Sequence, residues 1–132
     1  MRLVSYVHGT ELARQRRLGV LLDGDVIADV RAGAARYLAE EEKDLQAEAI
    51  AALRVPVECA ALLAAGPHAM GLVERTVAWL KALAASDKAA TGLGGEALFM
   101  ARAEARLFAP LSPTKIIACG RNYGKHLQEM SG

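Results

Sequence analysis

Leu18-Gly19-Val20-Leu21-Leu22-Asp23-Gly24-Asp25-Val26-Ile27-Ala28-Asp29-Val30 is the stretch on which the fold class turns. Two apolar runs flank a polar triplet centred on glycine. Glycine supplies the positive φ that a short hairpin loop requires, so Asp23-Gly24-Asp25 is expected to be a tight turn. Leu18 to Leu22 and Val26 to Val30 are then its two strands. Upstream, Leu3-Val4-Ser5-Tyr6-Val7 is a further apolar run, separated from the hairpin by the polar residues His8 to Gln15. The first 30 residues therefore predict an antiparallel meander of three strands.

Downstream the pattern changes to helix, from Ala32 to Ser86. Ala34 to Glu42 and Asp44 to Leu53 carry good helix formers and no internal glycine or proline. Pro56 is expected in the first turn of a further helix, which Gly66-Pro67 would end. From Pro67 to Ala85, Val73, Val77, Leu80 and Ala84 form a stripe at helical spacing, widened by Leu72, Trp79 and Leu83. Glu74, Ala78, Lys81 and Ala85 mark the opposite side. A helix with one face on a core is the ordinary reading of such a pattern. Ser86 to Gly95 is a polar, glycine-rich break. Two more strands are expected: Ala105 to Pro110, and Lys115-Ile116-Ile117-Ala118-Cys119. A helical segment from about Tyr123 to Met130 follows. The fold class is α+β: a small antiparallel sheet with an alanine-rich helical subdomain.

Composition narrows the functions. The 132 residues include 53% hydrophobic and 23% charged side chains, which excludes a disordered or collagen-like chain. Alanine alone contributes 27 residues, so the core has few large side chains. Sixteen Lys and Arg against fifteen Asp and Glu give +1. That balance argues against nucleic acid as a partner. Arg14, Arg16 and Arg17 are the only tight basic cluster, and three charges near a turn are ordinarily a solvated loop. No apolar run is long enough to span a membrane or to serve as a signal peptide, so a cytoplasmic protein is expected. Cys59 and Cys119 form no CxxC pair and fit two reduced thiols.

Several constellations invite chemistry. Thr91-Gly92-Leu93-Gly94-Gly95-Glu96-Ala97 matches the dinucleotide fingerprint in form, but no strand precedes it. Gly120-Arg121-Asn122-Tyr123-Gly124-Lys125 resembles a phosphate loop. It has three residues between its glycines instead of four, and His126 where a Ser or Thr would hold Mg²⁺. His8 and His68 have no ligating neighbours, and no metal site is visible. Glu40-Glu41-Glu42 fits a solvated helix face better than a cation site.

His126 and Glu129 are three apart, which on a helix puts both on one face. A carboxylate beside imidazole fixes its tautomer and favours its protonated form, as suits a general base acting on water. A surface ion pair is the commoner role for this spacing. Asn122 offers an amide and Arg121 a bidentate partner for a carboxylate.

Pro113 to Met130 as a whole resembles the segment that opens the catalytic domain of fumarylacetoacetate hydrolase family proteins. The shared pattern is a Lys-led apolar strand, Gly-x-Asn-Tyr, and then His126 and Glu129 in the family's order. Arg2-Leu3-Val4-Ser5-Tyr6 and Leu18 to Gly24 look like the small leading domain of bacterial members. Arg106 to Leu111 resembles the joining strand. The resemblance implies an accessory domain over 1–110 and, over 111–132, the first strand and helix of a β-rich catalytic domain. It implies activity on 2-oxo or β-diketo acids: acylpyruvate-type C–C hydrolysis, decarboxylation or isomerisation. His126 and Glu129 would be the catalytic dyad, with Tyr123, Asn122 and Arg121 near the substrate. Arg121 is assigned on charge rather than on a family role. A Mg²⁺ or Mn²⁺ ion would chelate the oxo acid and stabilise the enolate. The family's metal carboxylates, a Glu-x-Glu pair and a later Asp, lie downstream of the dyad and are not in these 132 residues. The expectation is therefore an inactive N-terminal portion of such an enzyme. A homodimer would form largely through the downstream domain. The alternative is a non-enzymatic accessory domain that pairs with a separate partner.

Overall fold

The structure, a computed structural model, describes residues 1–8, 16–113 and 115–117. It is an α+β fold. Strands β1 (Leu3–His8), β2 (Arg17–Leu22) and β3 (Val26–Asp29) form the expected meander. The turn between β2 and β3 places Gly24 at φ +76° and Asp25 at φ +55°. Two successive positive φ values match the right-handed twist of a two-stranded hairpin, which is why this short polar triplet suffices.

The third strand is shorter than expected. Val30 belongs to helix α1 (Val30–Glu40), because Asp29 leaves the sheet and caps it. The Ala32 N–H donates to Asp29 Oδ1 at 2.8 Å. A short carboxylate accepting from the third residue onward satisfies one of the helix's orphan donors and ends the strand at the same point. Helices α2 (Ala47–Arg54), α3 (Cys59–Ala64) and α4 (Gly66–Ser86) follow. Pro56 precedes α3 by three residues and lies outside its first turn, contrary to expectation.

Two short strands complete the sheet. The sequence pattern had indicated β5 (Ala105–Phe108) but not β4 (Phe99–Ala101). The order is β4-β3-β2-β1-β5, with every pairing antiparallel. Only the 3₁₀ turn Arg102–Glu104 separates β4 from β5, although they pair with opposite edges of the meander. Three 3₁₀ residues span roughly 6 Å. The outer strands of a flat five-stranded sheet would stand about 19 Å apart. The sheet is therefore curled, nearly closing on itself.

Curling creates two cores. The larger lies between the sheet and the helices, where Leu18, Val20, Leu22, Ala28 and Phe99 meet Ala34, Leu38, Leu62, Leu72, Val73 and Leu80. The smaller lies inside the curl and consists of Tyr6, Ile27 and Met100, with Val4, Leu21 and Ala105 against them. Of the expected α4 stripe, Leu72, Val73, Val77 and Leu80 are buried, while Trp79, Leu83 and Ala84 are half-buried at its margin. Lys115, Ile116 and Ile117 show no strand pairing and are exposed, against the expected strand there. Ala118 and Cys119 lie outside the described residues.

Candidate functional site

The register inside the curl brings four residues together. Tyr6 lies opposite Arg17, and Gly19 opposite Asp29. Tyr6 Oη donates to Asp29 Oδ2 at 2.7 Å, and Arg17 Nε lies 2.8 Å from the same oxygen. Asp29 Oδ1 is held by the α1 cap. The carboxylate is 1% exposed and Tyr6 is fully buried. Burial, then the Asp29 charge and hydrogen bond, raise the Tyr6 phenol far above its ordinary range, and Arg17 opposes this only in part. Gly19 leaves the room this cluster needs. A Cβ there would stand 2.6 Å from Ile27 Cγ2 and 2.9 Å from Tyr6 Cε1. With Asp29 held by three donors and Tyr6 wholly buried, the cluster ties strand to helix.

Two of the three clustered arginines make defined contacts. Arg17 neutralises Asp29, and Arg16 sits 4.6 Å from the centre of the Phe108 ring. Arg106 packs against the same ring at 5.3 Å. Arg14 lies outside the described residues.

Both glycine motifs were weak as nucleotide sites, and the structure accounts for the first. The Gly92 N–H donates to the Glu96 carbonyl at 2.7 Å, and the Gly95 N–H to the Gly92 carbonyl at 3.1 Å. A bridge between Thr91 and Ala97 closes the loop. The Glu96 carboxyl carbon lies 2.5 Å from the point where a Gly92 Cβ would stand. The loop thus covers its glycines with its own anion, and no helix follows to receive a pyrophosphate. The second motif, Gly120 to Lys125, lies outside the described residues. So do Arg121, Asn122, Tyr123, His126 and Glu129, the five residues singled out for binding and catalysis.

The acidic run is engaged on the helix surface. Glu40 pairs with Arg36 at 2.7 Å, Glu41 accepts from Trp79 Nε1 at 3.2 Å, and Glu42 meets Arg75 at 3.4 Å. Tyr37 packs edge-on against Trp79. The Arg36–Glu40 pair lies within α1, and the other three contacts fasten α1 and the turn after it to α4. Among the described residues, no group of three or more His, Cys, Asp or Glu is placed to hold a metal ion. No helix among them is long and apolar enough to cross a membrane.

One concavity of the described surface was not indicated by any motif. A groove of about 510 Å³ opens between the β2–β3 hairpin, β4 and the C-terminal end of α4. Its floor is Leu22, Val26 and Phe99, and its walls carry Lys81, Lys88, Asp23 and Glu104. Lys81, Ala84 and Ala85 lie on α4, and Lys88 in the turn that follows it. Lys81 and Ala85 are exposed, as expected for the side of α4 away from the core, and β4, which was not anticipated, supplies the other wall. A second concavity, about 50 Å³ between Ser5, Arg16, Cys59 and Pro110, is too small for an organic ligand.

No family model matches the chain, and neither a curated protein nor a solved structure matches it significantly.

Proposed function

We propose that the chain is the N-terminal region of a divalent-metal-dependent enzyme of the fumarylacetoacetate hydrolase family. Its substrate class would be 2-oxo or β-diketo acids, through acylpyruvate-type C–C hydrolysis, decarboxylation or isomerisation. The observation that carries the reading is the order of residues from Lys115 to Glu129: apolar run, Gly-x-Asn-Tyr, His126, Glu129. His126 takes a proton from water, Glu129 orients the imidazole and stabilises its charge, and Asn122, Tyr123 and Arg121 hold the oxo acid. The metal carboxylates belong to sequence after Gly132, and Mg²⁺ or Mn²⁺ is their cofactor. In this reading residues 1–110 are an accessory domain and carry no chemistry.

The test uses the reading frame of the gene beyond codon 132. The product should contain a Glu-x-Glu pair and a later Asp, and should consume acylpyruvates in a Mg²⁺-dependent manner. His126→Ala and Glu129→Ala should each lower kcat by roughly 10²- to 10⁴-fold. A stop codon after Gly132, or full activity in both variants, overturns the reading.

A second reading is an accessory domain that pairs with a separate partner. Ile116 and Ile117, 85% and 92% exposed, favour it. It requires self-association or a bound partner, and a monodisperse monomer in sedimentation counts against it.

A further inference from the structure

The groove beside α4 has the size of a small-molecule site and the usual division of labour in such a site, an apolar floor with few charged groups at its edge. The antiparallel register turns Val26, Ala28, Phe99 and Ala101 to the helix side of the sheet. Phe99 is held there 8% exposed, beside half-buried Val26 and buried Leu22. Toward its C-terminal end, α4 lines the groove with Ala84 and Ala85, whose small side chains leave the space open. The surrounding charges are arranged by element. Lys81 and Lys88 come from the α4 side. Asp23 comes from the hairpin tip and Glu104 from the 3₁₀ turn after β4. Among the described residues, none of these four side chains makes an ion pair or hydrogen bond with another side chain.

These four charges decide which ligand fits. A simple carboxylate would gain from two ammonium groups and be repelled by two carboxylates. A simple amine would meet the reverse. A molecule with both charges and an apolar body uses the floor and both charged sides. A single amino acid also leaves much of 510 Å³ empty, whereas a dipeptide sets its ammonium and carboxylate further apart. We propose that this groove binds a short zwitterionic peptide with large apolar side chains. Its carboxylate lies toward Lys81 and Lys88, its ammonium toward Asp23 and Glu104, and a side chain rests on Leu22, Val26 and Phe99. The site is separate from the hydrolase reading, since none of its residues lies in the Gly120–Met130 motif.

The test is titration of the 132-residue chain, followed by calorimetry and amide ¹H–¹⁵N spectra. The probes are phenylalanyl-leucine, its N-acetyl derivative without the ammonium, and its C-terminal amide without the carboxylate. Phenylalanyl-leucine should saturate at millimolar concentrations, with shifts concentrated at Gly24, Ala84, Lys88 and Ala101. Removing either charge should weaken binding roughly two- to fivefold, as for exposed ion pairs. Lys81→Glu should weaken the free dipeptide and the N-acetyl form but not the amide. Ala84→Phe, which fills the opening from a half-buried position, should abolish binding of all three while the circular dichroism stays unchanged. Absence of saturable shifts overturns the site. Equal binding of the three probes overturns the zwitterion assignment, as does an undiminished dipeptide affinity in Lys81→Glu.

Discussion

The inside of the curled sheet and the helix layer outside it solve the same packing problem with opposite materials. Inside, Tyr6, Ile27 and Met100 fill a small space around Gly19, and the buried carboxylate of Asp29, paired with partly exposed Arg17, sits at its edge. Outside, six buried alanines, Ala32, Ala34, Ala35, Ala47, Ala51 and Ala69, are interspersed with Leu38, Leu62, Leu72, Val73, Val77 and Leu80. Small side chains let helices approach closely, and each contact carries little energy by itself. The contrast predicts that single substitutions inside the curl cost more than comparable ones among the helices. It also locates the most consequential residue at the junction, where Asp29 serves both regions.

Asp29→Ala tests that junction and should have the largest effect. It removes the α1 cap, worth about 1 kcal/mol. It also leaves the fully buried Tyr6 hydroxyl without its acceptor, at about 1–3 kcal/mol. Arg17, whose side chain is 37% exposed, can turn to water, so its loss of a partner adds little. A total of about 3 kcal/mol is expected from the urea midpoint at constant slope. A loss below 1 kcal/mol would mean that the two regions are not joined through this carboxylate.

The same substitution placed in both regions gives the sharpest comparison. Gly19→Ala sets its methyl 2.6 Å from Ile27 and 2.9 Å from Tyr6, both wholly buried, with the aromatic ring pinned by its hydrogen bond. Overpacking of this kind should cost about 2 kcal/mol. Gly33→Ala sets a methyl 2.7 Å from Leu80 Cδ1, the end of a flexible side chain, where α1 crosses α4. The gain in helix propensity of about 1 kcal/mol offsets part of the clash, for a net cost of about 1 kcal/mol. If Gly33→Ala proves the more damaging, the helix layer is the tighter of the two, and the contrast is reversed.

How legible each region was follows from the range of its contacts. The hairpin at Asp23-Gly24-Asp25 and the stripe Leu72, Val73, Val77, Leu80 are local patterns, and both appear where periodicity and turn chemistry place them. The curl is not local. It depends on β4, a three-residue strand after a glycine-rich loop, pairing with β3 some seventy residues earlier. Phe99-Met100-Ala101 carries no alternation long enough to announce a strand. Without it, the groove that Lys81 and Ala85 line from their exposed face has no second wall. Asp29 fitted a strand interior because a cap can be recognised only once the helix start is known. The catalytic reading rests on Arg121, Asn122, Tyr123, His126 and Glu129, whose pattern is a sequence motif, independent of the geometry of the described residues.

Tyr6→Phe makes the smallest change at neutral pH and the most specific one in alkali. Phe keeps the ring between Ile27 and Met100 and removes one hydrogen bond, while Asp29 retains Arg17 and the Ala32 N–H. A loss of about 1 kcal/mol is expected. The folded chain holds the Tyr6 phenol neutral, with its pKa raised above the unfolded value of about 10. Below that value the contribution of Tyr6 is fully present. As pH rises above about 10 the unfolded chain releases the phenolic proton and the folded chain does not. Stability then falls progressively toward the folded-state pKa. Urea unfolding of the native chain should therefore weaken more steeply than that of Tyr6→Phe above about pH 10, and their difference should shrink with pH. Other alkaline titrations affect both proteins alike and cancel in the comparison. Parallel curves would show that Tyr6 ionises as readily in the fold as outside it, and that the interior of the curl is open to water.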